Sequence, residues 1–158
     1  MDKFTIINAI PSKDRLTILN LYNNSFPLST WNKKYWNSFF KNSLRQPVFF
    51  AIKINNQYAG FVLGRVGKDT SIMLLSTLVV SPTYRGNRYG SILIQKFLET
   101  TFSFPNIHKV ILHFRDFNAW RLEPYYAHLD FINHKIEGTY SNGEKKHCVE
   151  IHKKDFLN

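Results

Sequence analysis

The residues best suited to chemistry lie between Arg85 and Ser91, where the chain reads RGNRYGS. An apolar, β-branched run from Leu74 to Val80 precedes them, and it is long enough for a buried strand but too short for a typical helix. Pro82 ends that run because it has no N–H to give a ladder. After the loop, Leu93, Ile94, Phe97 and Leu98 are spaced as one face of a helix. A strand, a basic glycine-bearing loop and a helix start together make an anion site. The first amides of a helix have no partner within it, and its dipole favours negative charge there. Gly86 and Gly90 allow close backbone approach, and Arg85 and Arg88 can add charge-assisted bonds. A pyrophosphate is the natural guest. It is not held by a Walker loop, since Ser91 follows Gly90 where lysine is required, and the pattern GxGxxG is also absent.

Val80-Ser81-Pro82-Thr83-Tyr84-Arg85-Gly86-Asn87-Arg88-Tyr89-Gly90 resembles the acyl-CoA loop of the GNAT N-acetyltransferases. That loop is written [QR]-x-x-G-x-[GA] after a strand ending in V-x-P. Arg88 departs from the pattern, standing where the family has glycine: it blocks close approach if φ is positive there, or it adds a phosphate ligand, and the second reading leads because many helix starts accept a non-glycine residue. A second motif, Tyr126-Ala127-His128-Leu129-Asp130-Phe131, is similar to the family's Y-x-x-[LG]-G-F, with Asp130 in place of glycine. Aspartate tolerates the left-handed backbone such a turn needs. The early Ser25-Phe26-Pro27 and the late Thr139-Tyr140-Ser141-Asn142-Gly143-Glu144 resemble the RimI-type ribosomal-protein-alanine N-acetyltransferases in particular.

The resemblance implies acetyl transfer from acetyl-CoA, as co-substrate, to a primary amine, with a protein N-terminal α-amine as the leading acceptor. It assigns cofactor binding to Leu78, Val79, Val80, Arg85, Gly86, Asn87, Arg88, Tyr89, Gly90, Ser91 and Asn118. Leu78 and Val79 flank the pantetheine arm, a backbone N–H around Val80 meets the oxyanion, and Asn118 bonds the arm. Tyr126 assists the departing sulfur, with Tyr125 as the alternative. Between Asn118 and Tyr126 there is one residue more than the usual spacing, together with Pro124, and the two predict a kink or bulge. RimI-type enzymes use a glutamate base on the fifth strand, and the aligned residue here is His113. An imidazole with a pKa of about 6.5 takes a proton from an α-amine of about 7.7–8.0 far more easily than from a lysine of about 10.4. Glu123, Glu144 and Glu150 are the alternative bases. Other acceptors, aminoacyl-tRNA or a small-molecule amine, and a non-catalytic acyl-CoA-binding module remain open. His128, His134, His147 and His152 have no recognised ligand spacing, so no metal is expected. Cys148 sits within a strand as packing.

At 158 residues, one GNAT domain over residues 1–158 is expected, with room for a real core. A net charge of +10 suits an acidic or ribosomal partner and argues against a polycationic substrate. No run of like charges or nucleic-acid-binding motif supports direct RNA binding as the main role. There is one cysteine, no apolar run approaches a membrane span, and Met1-Asp2-Lys3-Phe4 opens no signal peptide. A cytoplasmic protein with no membrane role is therefore expected, as monomer or homodimer.

Phe4 to Ile10 is a first strand, and Ser12 caps a helix with a stripe of Leu16, Leu19, Tyr22 and Phe26. Ser29 or Thr30 caps a second helix through about Leu44, carrying Trp31, Tyr35, Trp36, Phe39 and Phe40 either as core or as an acceptor wall. Val48 to Ile54 and Tyr58 to Val66 form a hairpin across Asn55-Asn56-Gln57. The central strand and the helix after Gly90 follow. His108 to Arg115 alternates as a fifth strand, a short helix runs to Leu129, and Phe131 to Tyr140 pairs with Glu144 to His152. The fold class is α/β (α+β), and this element order is similar to the GNAT fold, a mixed central sheet of about seven strands with flanking helices.

Overall fold

The computed structural model describes residues 3–27, 30–41 and 43–157. Seven strands form one sheet: β1 (Phe4–Ile7), β2 (Val48–Ile54), β3 (Gln57–Val66), β4 (Ile72–Val80), β5 (Lys109–Arg115), β6 (Ile132–Thr139) and β7 (Lys145–His152). Their spatial order is β1-β2-β3-β4-β5-β7-β6, and every neighbouring pair is antiparallel except β4 and β5. The β2–β3 turn puts Asn55 at φ 50° and Asn56 at φ 66°, the left-handed pair that a two-residue hairpin demands and asparagine tolerates.

Helices cover both faces. On one side, α3 (Tyr89–Ser103), α4 (Ala119–His128) and the short α5 (Lys153–Phe156) pack on a core that includes Ile52, Val62, Met73, Leu93, Phe97, Leu112, Phe114 and Val149. The expected stripe of α3 is fully buried, each of its large side chains contributing about 1.5–3 kcal/mol. On the other side, α1 (Arg15–Ser25) and α2 (Lys33–Phe39) enclose a smaller core of Ile18, Leu19, Tyr22, Trp36, Phe39, Phe49, Phe61 and Val79. This second layer spreads over β2 to β4, with Ile7 of β1 at its margin. On β5, Ile111, His113 and Arg115 point to the same side as that layer and remain partly exposed.

Three local expectations at the N-terminal end change. Ser12 lies inside a 3-10 turn (Ser12–Asp14) rather than capping α1. The helix begins two residues later than a Ser12 cap would place it, and Ile18, not Leu16, joins Leu19 and Tyr22 in the core, while Leu16 and Phe26 face solvent. α2 is capped by Asn32, whose Oδ1 accepts from Tyr35 N–H at 2.7 Å, so Thr30 is not the cap; Ser29 lies outside the described residues.

The sheet is interrupted at its centre. Between β3 and β4, Leu63 faces Thr77 and Gly64 faces Leu75, so Ser76 has no partner and forms a bulge. The bulge inverts the alternation: Met73 and Leu75 join the α3-side core, while Val79 joins the α1–α2 side. On the other edge of β4, the parallel ladder with β5 consists of Ile72↔Lys109, Met73↔Val110 and Leu74↔Ile111 and goes no further. Beyond Leu74 the two strands separate, and Ser76, in the middle of a seven-stranded sheet, is solvent-exposed.

Gly64 permits this arrangement. A Cβ there would overlap the Phe97 ring and lie 2.5 Å from the Leu74 carbonyl oxygen, whereas a Cβ at Gly67 would meet nothing within 4 Å. Gly64→Ala should therefore destabilise the fold by about 1–3 kcal/mol, with Gly67→Ala close to neutral, as read by urea unfolding. Equal stabilities for the two variants would contradict the packing described.

Candidate active site

The wedge between the diverging ends of β4 and β5 leaves a backbone edge open inside the sheet. Its β4 wall is Ser76 to Val80. Leu78 and Val80 are partly exposed, whereas the Val79 side chain is buried in the α1–α2 core, leaving only its main chain to face a ligand. Val80 O accepts from Arg85 Nε at 3.0 Å, so Arg85 fastens the strand end to the loop that follows.

That loop passes through a 3-10 turn (Pro82–Tyr84) and reaches α3 by two left-handed residues, Gly86 at φ 83° and Arg88 at φ 65°. A Cβ at Gly86 would meet nothing within 4 Å, so its glycine answers to backbone conformation rather than space. Arg88 is the N-cap of α3, makes no side-chain capping bond, and is exposed. The expectation that a non-glycine residue sits there as at an ordinary helix start is corrected: the position is left-handed, which costs an L-residue about 1–2 kcal/mol. The first helical bond that reaches back to the cap is Ile92 N–H to Arg88 O, 3.0 Å, and no side chain caps the amides before it. Asn87 Nδ2 donates to Tyr84 O (3.2 Å) and Arg85 O (3.3 Å), turning its side chain into the loop. Tyr89 is buried against the core, its ring edge-on to Phe4, and offers its main chain only.

α4 closes the wedge on the α3 side. It runs as one α-helix from Ala119 to His128 with Pro124 inside it, so the bulge expected there is not formed. Its end is a Schellman motif: Phe131 N–H donates to Tyr126 O at 3.1 Å and Asp130 N–H to Ala127 O at 3.0 Å, with Asp130 at φ 72°. The apolar contact that accompanies such a cap is Tyr126 against Phe131, ring centroids 5.6 Å apart. Helix-ending geometry thus accounts for the Tyr-to-Phe spacing. The Tyr126 ring also stacks on Phe114 at 5.8 Å and is buried, which pushes its phenol pKa up. Tyr125 points the other way. Its hydroxyl lies 3.2 Å from Ser91 Oγ and 3.0 Å from where a Gly90 Cβ would sit, so glycine at 90 makes room for it. Asn118, the N-cap of α4, is partly exposed and makes no capping bond of its own.

The α1–α2 side of the wedge is aromatic and basic. Trp31 packs against Tyr22 and Tyr35, both at 4.8 Å, and its main chain is clasped by Asn23, which donates to Trp31 O (3.0 Å) and accepts from Trp31 N–H (2.9 Å). The buried Tyr22 hydroxyl bonds Thr77 on β4, its pKa raised by burial. Arg115 pairs with Glu144 at 3.0 Å and lies 4.0 Å above the Tyr140 ring. The second Glu144 oxygen accepts from Phe117 N–H at 3.0 Å. These bonds lock the β6–β7 hairpin onto the end of β5 and, led by the Phe117 amide, hold the Glu144 carboxyl below its usual range.

Glu144 is thus occupied, and so are the other alternative bases. Burial would raise Glu150, yet the bond from His152 and the nearby Lys109 keep it low. Glu123 faces His134 at 3.4 Å. His113, half-buried on the β5 wall, has its pKa lowered by burial, with Glu137 opposing. Leu78 to Ser91 thus form one strand–loop–helix start that Tyr125 meets through Ser91, whereas Tyr126 is buried against Phe114 on the α3 side and His113 lies on the opposite face of β5. Sequence reasoning missed Ser76, Thr77, Tyr22 and Asn23. The visible sign was Ser76-Thr77, a polar pair inside an otherwise apolar strand.

Residues 15–131 match the model of the acetyltransferase (GNAT) family. No curated protein matches the chain. Among solved structures, Ard1 from Thermoplasma volcanium superposes with a TM-score of 0.75 at 18% identity, over 94% of this chain and 97% of that one. Spermidine N-acetyltransferase from Vibrio cholerae, in complex with CoA and spermine, gives 0.75 at 19%, over 98% of each. The ribosomal-protein-S18-alanine N-acetyltransferase from Escherichia coli gives 0.71 at 17%, over 95% and 94%. At these identities the likeness is one of fold, and it extends over nearly the whole chain. No helix among the described residues is long and apolar enough to cross a membrane. With most of its length matched by the family model, the chain belongs to the GNAT acetyltransferases.

Proposed function

We propose that the protein transfers acetyl from acetyl-CoA to a primary amine of low basicity, foremost a protein N-terminal α-amine, in the cytoplasm. The observation that carries this is the wedge between β4 and β5, opening beside an uncapped, basic helix start. A pantetheine arm carries amides that can complete the unpaired edge of β4 as an added strand would. The amides from Gly86 to Ser91, with Arg85 and Arg88, suit its diphosphate. Tyr125 and Asn118 contact the arm on the α4 side, and a main-chain N–H around Val80 receives the oxyanion.

Tyr126 serves the sulfur. Its raised pKa keeps the phenol protonated, so it gives the departing thiolate a hydrogen bond rather than a proton. His113 takes the amine proton. Burial disfavours its charged form, so the neutral base persists to lower pH than in a free imidazole. Such a base suits an α-amine, and the carboxylates near the opening are already engaged, which disfavours a polyamine.

The reading is tested with acetyl-CoA and a panel of free-amine peptides, Nα-blocked lysine peptides and spermidine, following CoA release and the mass of the acceptor. Acetylation of the α-amine is expected. Silence with every amine would leave a binding module, and label on lysine or spermidine would overturn the acceptor class. Tyr126→Phe should lower kcat roughly 10–100-fold with acetyl-CoA affinity nearly kept, while Tyr125→Phe should weaken affinity more than rate. The reverse split exchanges the two roles. kcat/KM should rise with pH through a midpoint below about 6.5, and His113→Gln should remove that limb. A limb surviving in the variant would exclude His113. Arg88→Gly should leave stability equal or higher by about 1 kcal/mol, since the left-handed strain goes, yet raise the KM for acetyl-CoA severalfold. An unchanged KM would show that Arg88 does not touch the diphosphate.

A further inference from the structure

β5, β7 and β6 lie side by side, and on the face that α1 and α2 leave uncovered they bring together side chains far apart in sequence. His113 on β5 is the register partner of Cys148 on β7, and Cys148 in turn faces Lys135 on β6, two residues before Glu137. One ligand atom from each of His113, Glu137 and Cys148 lies within 4.8 Å of the others. This is a nitrogen, a carboxylate oxygen and a sulfur converging from three strands of one sheet. Burial is graded across them: Cys148 is buried, His113 half-buried and Glu137 exposed.

We propose that His113, Glu137 and Cys148 bind a single thiophilic divalent cation, Zn2+ being the biological case, and that its binding shuts off acetyl transfer. The donor set is one that Zn2+ accepts: three protein ligands of N, O and S type, with the fourth tetrahedral position open to water on the exposed side. Bonds of about 2.0–2.3 Å in a tetrahedron set the donors about 3.5 Å apart, so no pair has to close by more than about 1.3 Å. The exposed Glu137 side chain has the freedom to do so.

In the metal-free protein the thiol stays protonated. Burial, then the bond to Glu137, push its pKa up to about 12. Binding therefore exchanges one proton for the cation: the S–H bond breaks, the Cys148 sulfur keeps the electron pair and bonds the metal, and the proton leaves to solvent. Glu137 must also release Lys135, which stands 3.7 Å away, and Lys146 lies near the His113 ring. Two nearby ammonium groups weaken the hold on a cation, so the site is reversible and not a structural staple. The inhibitory half of the proposal rests on His113 as the base, because the cation takes the ring nitrogen's lone pair. The binding half does not.

Titration of the whole protein with Co2+, a coloured stand-in for Zn2+, tests both halves. The wild-type protein should develop a near-ultraviolet thiolate-to-cobalt band that Zn2+ displaces. Cys148→Ser should show no such band, and Glu137→Gln, a surface change that leaves the core intact, should weaken binding roughly tenfold or more. Acetyl transfer should fall as Zn2+ is added, recover with chelator, and lose its sensitivity in Cys148→Ser, which is otherwise active. Absence of the band in the wild type, or its survival in Cys148→Ser, would overturn the site. Binding with an undiminished rate would uphold the site and overturn the inhibition, and His113 as base with it.

Discussion

The rest of the structure depends on a pairing that stops. Past Leu74, the edge of β4 that faces β5 has no strand beside it, although it lies at the centre of the sheet. Unpaired main-chain groups inside a protein carry a cost comparable to a lost hydrogen bond each. A fold keeps such an edge only if something else holds the strands apart. Here β3 grips β4 along its other edge, and the bulge at Ser76 bends it away. Beneath, α3 and α4 pack under both strands, and above, α1 and α2 bear on β4 alone. On the far side of the opening, Arg115 and Glu144 bind the β6–β7 hairpin to β5, so neither wall can collapse inward. The opening is a consequence of unequal support on the two sides of one strand.

Two left-handed residues then set the rims. Arg88 ends the loop that launches α3, and Asp130 ends α4. Both stand where glycine would be strain-free, and both are polar residues at exposed positions. At Asp130 the strained turn closes a helix cap whose apolar clasp holds Tyr126 against Phe114 and Phe131. At Arg88 it brings a guanidinium to the helix start that the dipole already makes attractive to anions. One substitution is an accommodation to capping geometry, and the other adds charge where charge is useful.

Much of this was legible in the residues. The loop, the α3 stripe, the Asn55–Asn56 hairpin and the order of strands and helices followed from turn chemistry and apolar spacing, which are local. The N-terminal end was less so. Ser12 and Thr30 are good cap residues, yet helix starts there are set by packing: Ile18 and Trp36 reach the core, and Asn32 happens to be the residue whose side chain meets a free amide. The opening itself could not be read by periodicity, because a bulge shifts the alternation by one and only the polar pair Ser76-Thr77 betrays it. The adjacency of His113, Glu137 and Cys148 was equally hidden, since it arises from cross-strand register. So was the distinction between Tyr125 and Tyr126, which depends on α4 continuing as a helix through Pro124.

The proposed acetyl transfer requires the diphosphate of coenzyme A to lie against the amides from Gly86 to Ser91. Calorimetric titration with CoA, 4′-phosphopantetheine and pantetheine, and competition by ADP and adenosine, isolates that contact, since within each of the pairs 4′-phosphopantetheine/pantetheine and ADP/adenosine only phosphate differs. 4′-Phosphopantetheine should bind far more tightly than pantetheine, and ADP should compete far better than adenosine. Equal binding within each pair, or no uptake of CoA at all, would contradict it.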